Sequence, residues 1–219
     1  MTSSALTMAP PPPAATTTAL QFREELVFPV GFDLGPFYPA PGEPLAHYEV
    51  CVGRTSLTLP TEDDYRIWTL AHQPGEHSPL TWPTYRDRLA DTGIADAFPL
   101  AQRLADNGML WSVSPTGAAA AEFVRGHRLL PLATAIGDVE VEVPADTYAL
   151  GLPRGPYHYA SAVEYWLWLW GAQWDSLWTA CEALAKGTDP LACVAPVLLA
   201  TQELIVGSVA FLDVAWDRR

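Results

Sequence analysis

The chain repeats a pattern of residues at a distance of one hundred positions. Residues 48–68, YEVCVGRTSLTLPTEDDYRIW, align with residues 148–168, YALGLPRGPYHYASAVEYWLW. Identical residues fall at 48 and 148, 54 and 154, 65 and 165, and 68 and 168. A repeat of this kind indicates two copies of one supersecondary unit that pack against each other. The alignment therefore predicts a tandem of two related units, and the alternative is a single α+β domain without duplication.

Local patterns give the order of elements within a copy. In the first copy, alternating apolar residues predict strands at 48–52 and 56–59 with a turn between them. Thr61 and Asp64 have the spacing of a helix capping box, so the first helix begins there and runs to Ala71. Later elements are predicted as helices at 81–93 and 96–107, a strand at 109–113, a helix around 117–130 and a strand at 138–143. The predicted fold class is α+β and rich in helix.

A short stretch of the first copy resembles a known family of domains. PLAQRLADNGMLWSV (99–113) resembles the third helix and following strand of winged-helix, or helix-turn-helix, domains. With two strands ahead of the helices, residues 46–113 also resemble the small domains that bind leader peptides in ribosomal peptide maturation. The repeat extends this resemblance to 146–214, with Gly108 matched by Gly207. The resemblance implies winged-helix-like units of two short strands, three helices and a strand, which bind either DNA or a peptide.

Composition divides the chain into four segments. Residues 1–20 carry no charged side chain and contain runs of proline and threonine, so they are predicted to form a disordered tail. Aromatic residues among prolines and glycines predict an extended segment at 21–45. The first unit, with an extra helix and strand, is assigned to 46–144, and a second, tryptophan-rich helical unit packed on the first is assigned to 145–219.

The charge of the chain argues against nucleic acid as a partner. With 25 acidic and 12 basic residues, the formal net charge is −13, which repels a phosphate backbone. A DNA-binding interpretation depends on four side chains of the second and third helices of the first copy, namely Arg86, Arg88, Gln102 and Arg103. Aspartates lie beside them in both helices, so no basic stripe forms.

The sequence contains no recognisable catalytic or cofactor-binding motif. His72, Glu76 and His77 lie close together in a loop, but their spacing matches no standard zinc site. Asp63 and Asp64 fall in the first turn of a helix, where carboxylates interact favourably with the helix dipole. We therefore expect no catalytic residue, no cofactor and no metal.

The expected compartment is the cytoplasm, without a membrane span. Three cysteines form no C-x-x-C pair, and their odd number argues against a disulfide framework. The first twenty residues lack the basic region of a signal peptide. Polar residues also interrupt every apolar run before it reaches the length of a transmembrane helix.

Five of the nine tryptophans crowd into VEYWLWLWGAQWDSLW (163–178). The candidates for partner binding are Trp166, Trp168, Trp170, Trp174 and Trp178. On one continuous helix, Trp168 lies on the polar side and points outward, while the other four share an apolar face. If the repeat is real, Gly171 ends the helix early and Trp168 faces inward as Trp68 does. Trp166 and Trp170 are then outward or in an interface.

These observations favour a non-catalytic adaptor or regulator that binds a protein or peptide. The strands at 48–52 or 139–143 are candidates to accept an extended peptide at a sheet edge, and the tryptophan face is a candidate for a partner helix. The apolar surface of the C-terminal helices suggests a homodimer. One alternative is a DNA-binding transcriptional regulator, and another is a small-ligand carrier or enzyme with a tryptophan-lined pocket.

Overall fold

The fold is a mixed α+β structure, as the sequence predicts. The computed structural model describes residues 25–73, 79–137, 147–152 and 155–216. Within these residues it contains seven α-helices and ten strands in small antiparallel sheets. The predicted tail at 1–20, the predicted strand at 138–143, and Glu76 and His77 lie outside the described residues.

The first eight elements form one unit. They are β1 (Leu26–Pro29), β2 (Phe32–Phe37), β3 (His47–Val52), β4 (Thr55–Leu59), α1 (Glu62–Leu70), α2 (Trp82–Asp91), α3 (Ala97–Asp106) and β5 (Leu110–Val113). A three-stranded sheet has the order β2-β3-β4, and β1 pairs with β5. The helix that follows, α4 (Ala118–Gly126), leads into the second unit.

The same order of elements then occurs again. The second unit comprises β6 (His127–Pro131), β7 (Thr134–Gly137), β8 (Tyr148–Leu152), β9 (Gly155–Ala160), α5 (Ala162–Trp170), α6 (Leu177–Ala185), α7 (Val194–Val206) and β10 (Ala210–Val214). Its three-stranded sheet has the order β7-β8-β9, and β6 pairs with β10. Short 3-10 turns at 171–173 and 190–193 separate the helices. Each pairing of the first unit is thus present in the second.

Strand register shows that the two units correspond residue by residue. Pro29 pairs with Leu110, and Pro131 pairs with Ala210. The same irregularity interrupts β2 between Asp33 and Gly35 and β7 between Ala135 and Gly137. The offset between the copies is therefore 102 residues in the first two strands and 100 from β3 to α1 and again from α3 to β5.

Identical local interactions begin the first helix of each unit. Thr61 and Asp64 form a reciprocal capping box at α1, and Ser161 and Glu164 form one at α5. The tyrosine rings stack in both copies, Tyr48 on Tyr65 at 4.3 Å between centroids and Tyr148 on Tyr165 at 4.2 Å. The residues that carry the sequence repeat therefore fix the same junction between strand and helix twice.

Strand β1 joins the two units into one packed body. Its side chains alternate between the two hydrophobic cores: Leu26 and Phe28 belong to the core of the second unit, and Val27 belongs to that of the first. All four residues of β1 are buried. A strand that is buried on both faces needs apolar residues throughout, which explains the uninterrupted sequence LVFPV.

Two polar side chains of the second unit form hydrogen bonds with the backbone of the first unit. The amide of Gln202 donates to the carbonyl oxygens of Val27 and Leu80 and accepts from the Leu80 N–H, at 2.8–2.9 Å. The Asp213 carboxylate accepts from the Gly53 N–H at 2.6 Å and pairs with Arg128. Both side chains are buried, so these contacts fix how the units sit together.

The structure corrects three details of the sequence interpretation. Strand 48–52 is central in its sheet and is not an edge. Strands β6 and β7 lie before the predicted boundary at 144, but they pair with β10 and β8 and so belong to the second unit. Ser208 is the counterpart of Gly108, whereas Gly207 was expected, because Ser208 and Gly108 have positive φ angles of 55° and 72°.

Within the described residues, no single helix has both the length and the apolar character needed to cross a membrane. The segments Leu177–Ala185 and Pro190–Val206 reach that length and apolar character only when taken together, and the two are bent by 111°.

Candidate functional site

The tryptophan stretch forms part of the core. Trp166, Trp168, Trp170 and Trp174 are each at most 9% exposed, and they pack among aliphatic side chains of the second unit. Helix α5 ends at Trp170 and a 3-10 turn begins at Gly171, as the repeat predicted. None of these four side chains is outward, because strand β6 and helix α7 of the same unit supply cover that the sequence did not reveal.

Trp178 is the tryptophan of the stretch that lies nearest the surface. Its indole N–H donates to Glu182 at 2.7 Å, and the Arg125 guanidinium lies 3.9 Å from the ring centroid. Both partners come from the same chain, so Trp178 already has a cation and a carboxylate beside it. The apolar side of α7 is likewise covered within the chain, with eight of its thirteen residues buried.

Most of the residues on which DNA binding depends interact with other groups of the chain. Arg88 donates to the carbonyl oxygens of Leu70 and Gln73, and Arg103 pairs with the buried carboxylate of Asp64. Arg86 is exposed beside Asp87, and the Gln102 amide donates to Asp106 at 2.9 Å. No shared basic surface arises from these four side chains.

A groove runs between strand β4 and helix α3 in the first unit. We call it the β4 groove. It has a volume of about 200 Å³. Its lining residues are Leu57, Thr58, Leu59, Pro60, Asp64, Arg103, Leu104, Asn107 and Met109. Leu59, Leu104 and Met109 are buried and form an apolar floor, while Thr58 and Asn107 are exposed at the rim.

The Asp64 carboxylate fixes one wall of the β4 groove. One oxygen accepts from the backbone N–H and the hydroxyl of Thr61, at 3.2 and 2.7 Å, and the other accepts from the Arg103 guanidinium. The carboxylate is almost fully buried, whereas Arg103 is half exposed. A buried charge of this kind is stabilised only by such a complete set of donors. The Asp64 side chain, in the first turn of α1, therefore also holds α3 in place.

The corresponding groove of the second unit is filled by a side chain of the protein. His158 occupies the position of Thr58, and its ring lies directly over Gly207, which occupies the position of Asn107. Its Nε2 lies 3.2 Å from a carboxylate oxygen of Glu164, the counterpart of Asp64. A side chain longer than glycine at 207 would collide with the imidazole. Only the first unit thus keeps this groove open.

His72 lies between the units and is half-buried against Trp68, with 4.3 Å between ring centroids. Burial lowers the pKa of His72 to about 4, although the Trp68 carbonyl and the nearby Asp33 act in the opposite direction. Both aromatic side chains line a cavity of about 220 Å³. Among the described residues, no three histidine, cysteine or acidic side chains are placed to hold a metal ion.

Comparison with known proteins adds no relative. No family model, no curated protein and no solved structure matches this chain.

Proposed function

We propose that the protein is a non-catalytic adaptor that binds an extended peptide along β4, in the β4 groove. The peptide adds a strand to the sheet β2-β3-β4, so its main chain supplies the affinity. Its alternate side chains point to the apolar floor of Leu59, Leu104 and Met109. The polar rim of Thr58 and Asn107 stays beside the peptide backbone.

The observation that carries this proposal is a difference among the outer strands of the two three-stranded sheets. Irregular register interrupts β2 and β7, and the pairing of β8 with β9 is also irregular. Proline occurs in β2 at Pro36 and in β9 at Pro156. Such features blunt a sheet edge against further pairing. Strand β4 has a regular register and contains no proline, so it is the outer strand best suited to accept a partner strand.

The filled groove of the second unit supports the same assignment. In the second unit the His158 side chain closes the groove. Gly207 leaves room for the ring and does so without a positive φ angle. Thr58 and Asn107 leave the first groove open at the equivalent positions. Specialisation of the two copies, one for binding and one for support, accounts for this difference.

The second unit also supplies the variant that tests the proposal. A library of random linear peptides displayed on phage is selected against the full chain, and enriched sequences are synthesised and titrated by fluorescence polarisation. The variant Thr58→His with Asn107→Gly copies the filled groove into the first unit. It should weaken binding of the selected peptides by on the order of tenfold or more, while Asn107→Gly alone should retain most of the affinity.

Hydrogen exchange provides the second measurement. A bound strand should slow exchange of amides in Thr55–Leu59, because pairing protects edge N–H groups. The proposal fails if the selected peptides bind the filled variant as well as the original chain, or if protection appears elsewhere and not in β4.

A further inference from the structure

The second unit docks on the first through one face of α7 and β10. On α7 this face includes Leu198, Gln202 and Ile205, all of which are buried. On β10 it includes Phe211, whose ring lies 5.2 Å from that of Phe32 in the first unit. The three hydrogen bonds between Gln202 and the backbone of Val27 and Leu80 lie within this contact.

The first unit has the same face on α3 and β5, and there it is open. The one-hundred-residue offset matches Phe98, Gln102, Ala105 and Trp111 with the four docking residues of the second unit. Phe98 is 45% exposed and Trp111 is 41% exposed. Together with Trp82 they line a groove of about 500 Å³, which we call the α3 groove. This surface therefore has the form of a docking face without its counterpart.

The α3 groove differs in charge from the face of the second unit. Asp106 takes the place of Val206, and Glu25 lies across the groove beside Ser112. Ser112 donates to Glu25 at 2.6 Å and Gln102 donates to Asp106 at 2.9 Å, so both carboxylates have neutral donors. Neither has a cationic partner among the described residues, and no basic side chain lines the groove.

The first unit of a second copy of this chain does not offer a free docking surface. That surface is the backbone of Val27 and Leu80, and α7 of the same chain already covers it. The two carboxylates of the α3 groove, with no basic side chain among its lining residues, favour a different protein that presents an extended backbone and a cationic side chain.

We propose that the α3 groove binds an extended segment of a partner protein that carries a lysine or arginine side chain. The Gln102 amide turns from Asp106 to the backbone of the segment, as Gln202 bonds to Val27 and Leu80. The cationic side chain lies between Glu25 and Asp106 against the faces of Trp82 and Trp111. Aromatic rings attract cations, and the chain uses this contact elsewhere, since Arg125 lies over Trp178 and Arg128 over Trp216.

Together with the β4 groove, this site places two binding surfaces on opposite sides of α3. Arg103 and Asn107 face the β4 groove, whereas Phe98 and Gln102 face the α3 groove. The α3 groove is independent of the proposed strand addition, because helix α3 is the one element that contributes lining residues to both grooves. An adaptor needs two such surfaces to hold two partners at once.

The test uses fluorescein-labelled octapeptide pools that differ at one central position, which holds arginine, lysine or glutamine. Fluorescence polarisation with the full chain should give binding of the arginine and lysine pools that is on the order of tenfold tighter than that of the glutamine pool. Glu25→Gln with Asp106→Asn should abolish this preference. Glu62→Gln with Asp63→Asn, which removes two charges from the start of α1, should preserve it.

Three outcomes overturn the proposal. The first is equal binding of all pools. The second is an equal loss in the two charge-neutralised variants, which would mean that only the overall charge of −13 attracts the peptides. The third is binding of free arginine amide as tight as that of the arginine pool, because an extended backbone would then contribute nothing. The variant Thr58→His with Asn107→Gly should leave the preference unchanged, so failure of strand addition at β4 is distinguished from failure here.

Discussion

Two hydrogen bonds join the side-chain amide of Gln202 to the backbone of Leu80, and they use both polar groups of that amide. The amide oxygen accepts from the Leu80 N–H at 2.8 Å, and the amide nitrogen donates to the Leu80 carbonyl at 2.8 Å. The residues are 122 positions apart in sequence and belong to different units. One buried side chain thus satisfies the Leu80 N–H and gives the Leu80 carbonyl a second donor beside the Val27 N–H.

The first prediction concerns this contact. Gln202→Met keeps the length of the side chain but leaves the Leu80 N–H without its acceptor, so we expect a loss of about 2–3 kcal/mol in the free energy of unfolding. Gln102→Met is the matched control, because Gln102 occupies the same position in α3 and is exposed. It should change stability by less than about 0.5 kcal/mol. Urea unfolding followed by circular dichroism measures both, and equal effects would contradict the assignment.

The second prediction concerns the close approach of α5 and β6. A Cβ atom on Gly171 would lie 2.7 Å from the carbonyl oxygen of Leu129. Gly171→Ala should therefore destabilise the protein by about 1–3 kcal/mol, as overpacking does. Gly126→Ala is the control, because a Cβ there meets open space. It should be neutral or stabilising by up to about 1 kcal/mol. Thermal unfolding of the two variants gives the comparison.

The third prediction concerns the residue that follows the last helix of each unit. Gly108 and Ser208 both have positive φ angles, which serine adopts only at a cost. Ser208→Gly should stabilise the protein by about 0.5–1 kcal/mol, and Gly108→Ser should destabilise it by about 1 kcal/mol. The urea midpoints should move in opposite directions. Movement in the same direction would show that side-chain contacts of Ser208 outweigh its backbone conformation.

The fourth prediction concerns the dependence of stability on pH. Burial lowers the pKa of His72 from its ordinary value of 6.5 to about 4, so folding favours the neutral ring. This contribution is complete above about pH 6.5 and is lost as the pH falls toward 4. Because the ring is partly exposed, we expect a loss of about 1–2 kcal/mol from this group.

Substitution of the histidines separates their contributions. Burial also lowers the pKa of His127, so part of the decline belongs to that residue. His72→Gln should flatten the curve of unfolding free energy against pH between about pH 6.5 and 4.5, and the double variant with His127→Gln should flatten it further. An unchanged slope in His72→Gln would mean that His72 takes up its proton in the folded state without cost.

The sequence revealed the fold best where both units keep the same residues. The paired tyrosines, Trp68 with Trp168, and the two capping boxes predict the junction between sheet and first helix, and the structure contains it twice. Strands β1 and β6 could not be matched in the same way. Their offset is 102 residues, and LVFP and HRLLP share little beyond the proline.

The candidate sites were less accessible to prediction, because burial depends on distant elements. Helical periodicity gives the face of Trp166 and Trp170 but not the strand and helix that cover them. The sequence also did not show that 48–52 is a central strand. Gly35 and Pro36 are unusual in a strand, so β2, which pairs with β3, could not be recognised. The sequence does not predict that His158 fills the second groove, because only the structure places Gly207 beneath its ring.

The duplication gives every molecule its own internal comparison. A saturation scan of all positions, read as abundance in cells, would report on two versions of one architecture under identical conditions. Tyr48 and Tyr148 should share one profile of tolerated residues, because both rings stack in the same junction. Gln102 and Gln202 should have different profiles although they are the same amino acid. Positions that diverge in this way would mark, without any other sequence, where one copy has taken on a separate task.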